Sequence, residues 1–108
     1  MTDIPQTTVD QLETDAVILD VREDDEWQAG HIEGASHIPM AQVPQSLGVL
    51  PEGDPLYVFC RSGGRSAKVT QWLNANGFNA VNVDGGMQAW QANGKAMIAD
   101  NGAAPTVI

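Results

Sequence analysis

The only cysteine of the chain, Cys60, lies in the stretch CRSGGR, between an apolar run and a segment with a helical pattern. The glycines of this stretch allow positive φ angles, so several backbone N–H groups can point toward one place. The helix that follows directs its positive dipole end to the same place, and two arginines add full charges. The stretch is therefore predicted to be an anion-binding loop, with these substrate-binding residues: Arg61, Ser62, Gly63, Gly64 and Arg65.

Such a loop changes the chemistry of a thiol. A free cysteine has a pKa of about 8.5, and a helix N-terminus with nearby cations lowers the pKa to roughly 3.5–7.5. We therefore expect Cys60 to be a catalytic nucleophile that is largely thiolate at neutral pH, with added hydroxyl donors from Ser62 and Ser66. In the alternative, Cys60 is an inert, small apolar residue that ends a buried strand. The glycines and arginines around it favour the reactive thiol.

The segments around the loop predict an α/β fold with a mainly parallel sheet. Three apolar runs have strand length and are typical of strands covered on both faces: AVILDV (16–21), PLYVFC (55–60) and AVNV (80–83). Helical patterns follow these runs, at 22–30, 64–76 and 85–94. Strands that alternate with helices indicate parallel pairing with right-handed connections.

The remaining segments give weaker patterns. TVDQLETD is predicted to be a short helix, capped by Thr8 with Gln11 as the reciprocal partner. A helix is also predicted over 40–50, although Pro44 restricts the residue before it. ASHIP is predicted to contain a brief extended piece. The three tryptophans are predicted to pack in the core: Trp27, Trp72 and Trp90.

Length and charge limit the function classes. The 108 residues fit one domain, with residues 1–97 as its body and 98–108 as a flexible tail. A net charge of −9 argues against non-specific binding to nucleic acid or anionic membranes, which needs a broad basic surface. A single cysteine excludes an internal disulfide. The N-terminus has no signal-peptide pattern and no apolar run approaches the ~20 residues of a membrane span, so the cytoplasm is the expected location.

Two further groups of polar residues are assigned structural roles. Asp20 and Arg22 follow the first apolar run, where a charge is more often paired than catalytic, and Glu26 is the predicted partner of Arg22 one helical turn away. His31 and His37 are predicted to stabilise loops through hydrogen bonds. Because there is no second cysteine and no HExxH spacing, no metal site is predicted.

Three motifs resemble those of the rhodanese family of sulfurtransferases, and they occur in the family's order. CRSGGR is similar to the family's active-site loop. LDVREDDEWQAGHIEGASHIP (19–39) resembles its N-terminal signature, with a DVR, a glutamate before an aromatic residue, and GHIxGAx(H/N)IP. DGGMQAW (84–90) resembles its closing GGxxxW element. The motifs span residues 19–90, and the chain length matches that of single-domain members.

The resemblance implies a rhodanese-like three-layer sandwich, in which a mainly parallel five-stranded sheet has helices on both faces. The two additional strands would come from ASHIP and the N-terminus. It also implies two-step covalent catalysis by Cys60. The thiolate takes the outer sulfur of a small anionic donor such as thiosulfate, and the loop amides hold the resulting persulfide. A thiol or cyanide acceptor then removes that sulfur, and no metal or organic cofactor is implied.

Two features of the loop discriminate among relatives of this fold. Four residues separate Cys60 from Arg65, whereas related phosphatases have five, and the narrower loop suits a single sulfur atom. Arg61 and Arg65 favour thiosulfate over mercaptopyruvate as the donor. Two alternatives stay open. One is a sulfur-carrier or regulatory module that accepts persulfide sulfur from a partner protein and turns over little thiosulfate. The other is a phosphatase or arsenate-handling relative.

Overall fold

A five-stranded, all-parallel sheet forms the centre of the computed structural model, which describes residues 4–108. The strands are β1 (Gln6–Thr8), β2 (Val17–Asp20), β3 (Ser36–His37), β4 (Leu56–Phe59) and β5 (Ala80–Asp84). Their order across the sheet is β1-β5-β4-β2-β3. The sheet confirms the predicted α/β class, including the two additional strands from the N-terminus and from ASHIP.

Helices cover both faces of the sheet because the central strands are apolar on both sides. The α-helices are α1 (Asp24–Ala29), α2 (Gly64–Ala75) and α3 (Gly86–Ala92), and two 3₁₀ segments span Val9–Gln11 and Met40–Val49. On one face, α2 and the Met40–Val49 segment pack on a cluster that includes Leu19, Val58 and Leu73. On the other face, Phe59, Val83 and Met87 form a second cluster. The three-layer arrangement is therefore the predicted one.

The register of the central strands decides where the site lies. β2 and β4 are neighbours, with Val17 opposite Leu56 and Asp20 opposite Phe59. Both strands therefore end at the same edge of the sheet, which is the usual ligand crevice of open parallel sheets. The loops after Asp20 and Phe59 both meet this edge. The DVR motif at Asp20 and the CRSGGR loop at Cys60, 40 residues apart in the sequence, are thus neighbours in space.

The prediction of a helix over TVDQLETD is wrong. Thr8 belongs to β1, where it lies opposite Asp84 of β5, and only one 3₁₀ turn follows, at Val9–Gln11. The Thr8 side chain makes no capping hydrogen bond. Pairing with β5 places Thr8, the predicted cap, in a strand, so the tertiary contact overrides the local pattern. The 40–50 segment is helical, but as a 3₁₀ segment that contains Pro44.

Three tryptophans were predicted to be in the core, and the prediction for Trp72 is wrong, because this residue is 36% exposed. The buried stripe of α2 consists of Ser66, Val69, Thr70 and Leu73. These positions follow the i, i+3, i+4, i+7 spacing of one helix face, and position 72 lies beside that face. Trp90 is half-buried and makes an edge-to-face contact with Phe59, at 5.9 Å between ring centroids.

Residues 98–108 lie along α1 and α3. Ile98 pairs with His31 in an antiparallel bridge, and the Thr106 N–H donates to the Ala29 carbonyl at 2.9 Å. The Val107 N–H donates to Oε1 of Gln91 at 3.1 Å. These contacts describe where the segment lies, while the domain boundary at residue 97 and the flexibility of the segment stay predictions. Within residues 4–108, no helix has the length and apolar character needed to cross a membrane.

Candidate active site

Cys60 follows β4 directly, and the loop after it turns back toward the sulfur. Gly63 has a φ of 112°, a left-handed conformation that favours glycine, and it precedes the first residue of α2. In this conformation the Gly63 N–H donates to Cys60 Sγ at 3.0 Å. The Ser66 hydroxyl, in the first turn of α2, lies 3.3 Å from the same sulfur. The thiol is therefore the group on which the donors of the loop converge.

The environment of Cys60 contains opposing effects on its pKa. Burial raises the pKa, since the side chain is only 1% exposed. Hydrogen bonds from the Ser66 hydroxyl and from the N–H groups of Ser66, Gly63 and Ser62 lower it, and together they outweigh the burial. The net result is a lowered pKa, as expected from the sequence. The donors responsible are the loop amides and the Ser66 hydroxyl, which are among the donors predicted from the sequence.

The loop is held in place through its carbonyl oxygens by the start of α3. The N–H groups of Met87 and Gln88 donate to the carbonyls of Cys60 and Arg61, both at 2.9 Å. Gly86 makes this approach possible, because its φ is 50° and a Cβ there would lie 2.4 Å from the Cys60 carbonyl oxygen. The DGGMQAW motif thus anchors one side of the loop. The N–H groups on the other side remain directed at the sulfur.

The two loop arginines contact protein groups beside the loop. Arg65 forms a bidentate ion pair with Glu26 of α1, with both nitrogen–oxygen distances at 2.8 Å. This pair lowers the pKa of Glu26 and raises that of Arg65. Arg61 Nε donates to the carbonyl oxygen of Ile108 at 2.8 Å and is otherwise exposed. Both arginines therefore lie at the rim of the loop, and their predicted role in substrate binding stays a prediction.

Gly64 leaves one side of the loop open. A Cβ built at Gly64 would meet no heavy atom outside its own helix backbone and neighbours within 4 Å. Ser62 is exposed, and its N–H is one of the groups that lower the Cys60 pKa. The site residues predicted from the sequence, 60–65, thus form one continuous loop around the sulfur. Within it, Gly63 contacts the sulfur, whereas the arginines contact groups beside the loop.

Asp20 and Arg22 form a buried ion pair on the neighbouring loop. Arg22 Nη2 lies 2.7 Å from Asp20 Oδ2, and neither side chain is more than 2% exposed. The predicted pairing of Arg22 with the Glu26 carboxylate is wrong. Arg22 Nη1 instead donates to the Glu26 backbone carbonyl at 3.2 Å, and Nη2 also donates to the Gly30 carbonyl at 2.9 Å. The carboxylate of Glu26 is directed to Arg65, whose proximity sequence spacing could not show.

His31 and His37 flank Trp27, and both make loop hydrogen bonds. The Trp27 ring stacks on His31 and on His37, with centroid distances of 3.6 and 4.7 Å. His31 Nδ1 lies 2.7 Å from the Trp27 carbonyl oxygen, and His37 Nε2 lies 2.7 Å from the Arg22 carbonyl oxygen. Trp27 is half-buried and packs between the two imidazoles. Within residues 4–108, no three His, Cys, Asp or Glu side chains are grouped to hold a metal ion.

Two residues of the site, Glu26 and Asn82, were not predicted as part of it from the sequence. Glu26 was predicted only as a partner of Arg22, and its carboxylate instead reaches the loop through Arg65. Asn82 is 1% exposed in β5, and its Oδ1 accepts a hydrogen bond from Ser66 at 2.6 Å. Its signal in the sequence was a polar residue inside the apolar run AVNV. A buried polar group needs a hydrogen-bond partner, and this one lies beside the thiol.

Comparison with known proteins gives a consistent result. The family model described as "Rhodanese-like domain" matches residues 5–93. The chain is 47% identical over 79 residues to a Bacillus subtilis protein named "Putative sulfurtransferase YtwF", covering 72% of this chain and 76% of that protein. It is similar to a Staphylococcus aureus crystal structure of a rhodanese-like domain protein, with a TM-score of 0.74 and 40% identity, covering 81% of this chain and 91% of that one.

Two other relatives carry more specific names. The Bacillus subtilis "Putative sulfur carrier protein YrkF" is 42% identical over 74 residues, 68% of this chain, and the match spans only 40% of that protein. The Pseudomonas fluorescens "Thiosulfate sulfurtransferase GlpE" is 31% identical over 87 residues, 80% of each chain. The fold, the thiol-centred loop and these matches lead to one conclusion: the chain belongs to the rhodanese-like domain family.

Proposed function

We propose that the protein transfers a sulfane sulfur from a small anionic donor of the thiosulfate type to a thiol or cyanide acceptor. The single observation that carries the proposal is the convergence of the Gly63 N–H and the Ser66 hydroxyl on Cys60 Sγ, at 3.0 and 3.3 Å. Donors in this position favour the thiolate, which is the nucleophilic form of cysteine. They would also stabilise negative charge on a sulfur bound to it.

The reaction proceeds in two balanced steps. In the first, the Cys60 thiolate attacks the outer sulfur of thiosulfate, the S–S bond of the donor breaks, and its electron pair leaves with sulfite. Cys60 then carries a persulfide whose terminal sulfur is anionic. In the second, an acceptor thiolate or cyanide attacks the terminal sulfur, and the Cys60 thiolate leaves. Such covalent transfer predicts ping-pong kinetics. The residues of this chain supply the nucleophile and the donors, and we propose no cofactor.

The shape of the loop supports sulfur over phosphate. The turn from Cys60 to Arg65 is one residue shorter than that of the related phosphatases, and the Gly63 amide already contacts the sulfur. Cys60 itself is only 1% exposed, so a donor needs a route to the sulfur. We propose that it enters beside Gly64, where the space is open. Arg61 lies at the rim, where its guanidinium would attract an anion into an otherwise acidic protein.

The experiment is a thiocyanate assay with thiosulfate and cyanide, run beside an assay with a generic aryl phosphate. We expect thiocyanate formation by the natural chain and none above background in Cys60→Ser, which keeps the size of the side chain and removes the thiol. Mass spectrometry after thiosulfate alone should show one added sulfur on Cys60. Equal thiocyanate formation in both proteins would contradict the mechanism, and aryl phosphate cleavage would contradict the loop-length argument.

A sulfur-carrier function is the second candidate, and one observation favours it. A thiol that is 1% exposed is poorly placed for frequent collisions with small donors, whereas a partner protein could open the loop as it docks. The relative named as a sulfur carrier is in keeping with this candidate. It predicts one added sulfur on Cys60 when a protein persulfide is the donor, and little thiocyanate from free thiosulfate. The same two measurements therefore separate a carrier from a thiosulfate enzyme.

A further inference from the structure

A line of polar side chains connects the buried thiol with the surface. Ser66 Oγ lies 3.3 Å from Cys60 Sγ and 2.6 Å from Oδ1 of Asn82. Asn82 Nδ2 donates to Oε1 of Gln6 at 3.0 Å and to the Gly63 carbonyl at 3.4 Å. The first three side chains are at most 1% exposed, and Gln6 is at the surface. Hydrogen bonds in such a setting are strong, so their direction matters for the thiol.

The Ser66 hydroxyl has one proton and two neighbours that accept it. A serine hydroxyl donates once, and both Cys60 Sγ and Asn82 Oδ1 are within hydrogen-bond distance. The contact with Asn82 is at the short end of the normal range for O–H···O bonds, and the contact with the larger sulfur atom is also a hydrogen bond. The two acceptors therefore share one proton, and Asn82 draws part of it away from the sulfur. The sulfur is left with the Gly63 N–H as its closest donor.

The orientation of the Asn82 amide is fixed from its nitrogen side. Nδ2 faces the oxygen of Gln6 and the carbonyl oxygen of Gly63, both of which accept. Turning the amide over would place Oδ1 against the Gly63 carbonyl, which is part of the catalytic loop and has no proton to donate. The oxygen of Asn82 therefore faces Ser66, and it competes with the sulfur for the same proton.

We propose that Asn82 is a positioning residue that competes with Cys60 for the Ser66 proton and so keeps the thiolate basic. The inference rests on the proposed function, because basicity matters for a thiolate that attacks sulfur. The nucleophilicity of a thiolate falls as its pKa falls, and the best attacking thiol has a pKa near the ambient pH. The loop amides already favour the thiolate. A full hydrogen bond from Ser66 would lower the pKa further and so weaken the nucleophile.

The test measures the rate of Cys60 alkylation by iodoacetamide as a function of pH. Asn82→Leu keeps a similar volume and removes the competing oxygen, so Ser66 donates to the sulfur alone. We expect the midpoint of the rate profile to fall by about one pH unit, since a hydrogen bond to a charged group changes an equilibrium about tenfold. The plateau rate at high pH should fall about threefold because the thiolate is less basic.

Asn82→Asp gives the opposite expectation. A carboxylate is an acceptor only, so it holds the Ser66 proton more firmly than the amide does. The midpoint should rise by about one pH unit. Asn101→Asp is the matched control, because it adds the same charge at an exposed position whose oxygen already accepts a hydrogen bond from Ala103. The carboxylate also acts on Cys60 directly through its charge, so Asn82→Asp is repeated in Ser66→Ala, and only the part of the rise that disappears there is assigned to the Ser66 proton. This pair of variants tests the inference if the Leu variant does not fold.

Removing Ser66 tests whether Asn82 acts through it. In Ser66→Ala, the added substitution Asn82→Leu should leave the midpoint unchanged. A merely structural Asn82 would lower stability in its variants, leave the midpoint of Asn82→Leu where it was, and give Asn82→Asp the same rise with and without Ser66. Other charged groups could influence the thiol, but all of these variants leave them unaltered: Arg61, Arg65 with Glu26, Asp84, and the Asp20–Arg22 pair.

Midpoints that do not move, or that move in the same direction in the Leu and Asp variants, would overturn the inference. Iodoacetamide requires no sulfur donor, so this outcome does not depend on the thiocyanate assay. If the midpoints move as stated and no thiocyanate forms, only the proposed function is wrong. If thiocyanate forms and the midpoints stay fixed, only the role of Asn82 is wrong.

Discussion

The loops that follow β2 and β4 occupy equivalent places in the sheet, and they differ in what satisfies their charges. Each loop leaves a buried strand at the same edge and feeds a helix. After β2, the Arg22 guanidinium is fully buried and donates to Asp20 and to two backbone carbonyls. After β4, the loop donors converge on a single side chain, the Cys60 thiol.

This difference supports the proposed division into a structural loop and a reactive one. The buried charges of Asp20 and Arg22 satisfy each other, and the guanidinium also donates to two backbone carbonyls. In the β4 loop, α3 holds the carbonyls, the arginines lie at the rim, and the Gly63 N–H is directed at the Cys60 thiol. Two loops at the same edge of a sheet thus differ in the direction of their donors, and the proposed function depends on that direction.

The first prediction removes one partner of the buried ion pair after β2, and we expect it to have the greatest effect on stability. Arg22→Met should lower the free energy of unfolding by about 3–5 kcal/mol, because it leaves Asp20 buried without its partner. Arg61→Met is the matched control and should cost less than about 1 kcal/mol, since Arg61 is exposed. Urea unfolding of the two variants measures both values. Equal losses would show that the loops do not differ as described.

The second prediction concerns the contact that anchors the reactive loop. Gly86→Ala should destabilise by about 1–2 kcal/mol for its left-handed φ and by about 1–3 kcal/mol more for the clash of its Cβ with the Cys60 carbonyl. The thiocyanate rate should fall at least about tenfold. Gly94→Ala also has a positive φ but meets no heavy atom, so it isolates the first effect. If both variants lost the same stability and the same thiocyanate rate, the contact of α3 with the loop would not be what anchors it.

The third prediction uses the lowered pKa of Cys60. Between that lowered pKa and the ordinary thiol value of about 8.5, the unfolded chain binds more protons than the native one. Stability should therefore rise with pH through this window, be complete above the ordinary value, and be lost as the pH falls through the native pKa. Urea unfolding of the natural chain and of Cys60→Ser, from neutral pH upward, measures the difference. Parallel curves would contradict the prediction.

The fourth prediction concerns Arg65 at the rim of the β4 loop, where we expect only a small change in stability. Arg65→Lys keeps the charge and loses the bidentate contact with Glu26, so it should cost less than about 1 kcal/mol in a partly exposed pair. If Arg65 helps to bind the donor, KM for thiosulfate should rise a few-fold while kcat changes little. Lys68→Arg, on the exposed side of α2, is the control. A change in kcat with a constant KM would contradict a binding role.

Much of the fold could be predicted because its signals are local. The apolar runs at β2, β4 and β5 have the length and composition of buried strands, and the alternation with helices indicates parallel pairing. The N-terminal strand could not be predicted from its residues, since three residues gain strand structure only by pairing with β5. Trp72 was wrongly assigned to the core because an apolar residue beside the buried helix face gives nearly the same spacing.

Within the candidate site, residue types within a few positions of Cys60 were enough to predict the loop around the thiol, the glycines that turn it and the helix that starts after it. The fold was needed to show that Glu26 pairs with Arg65, that Asn82 shares Ser66 with the sulfur, and that α3 binds the loop carbonyls. The physical reason is that hydrogen bonds act over about 3 Å, and which distant residues come that close depends on how the strands are ordered in the sheet.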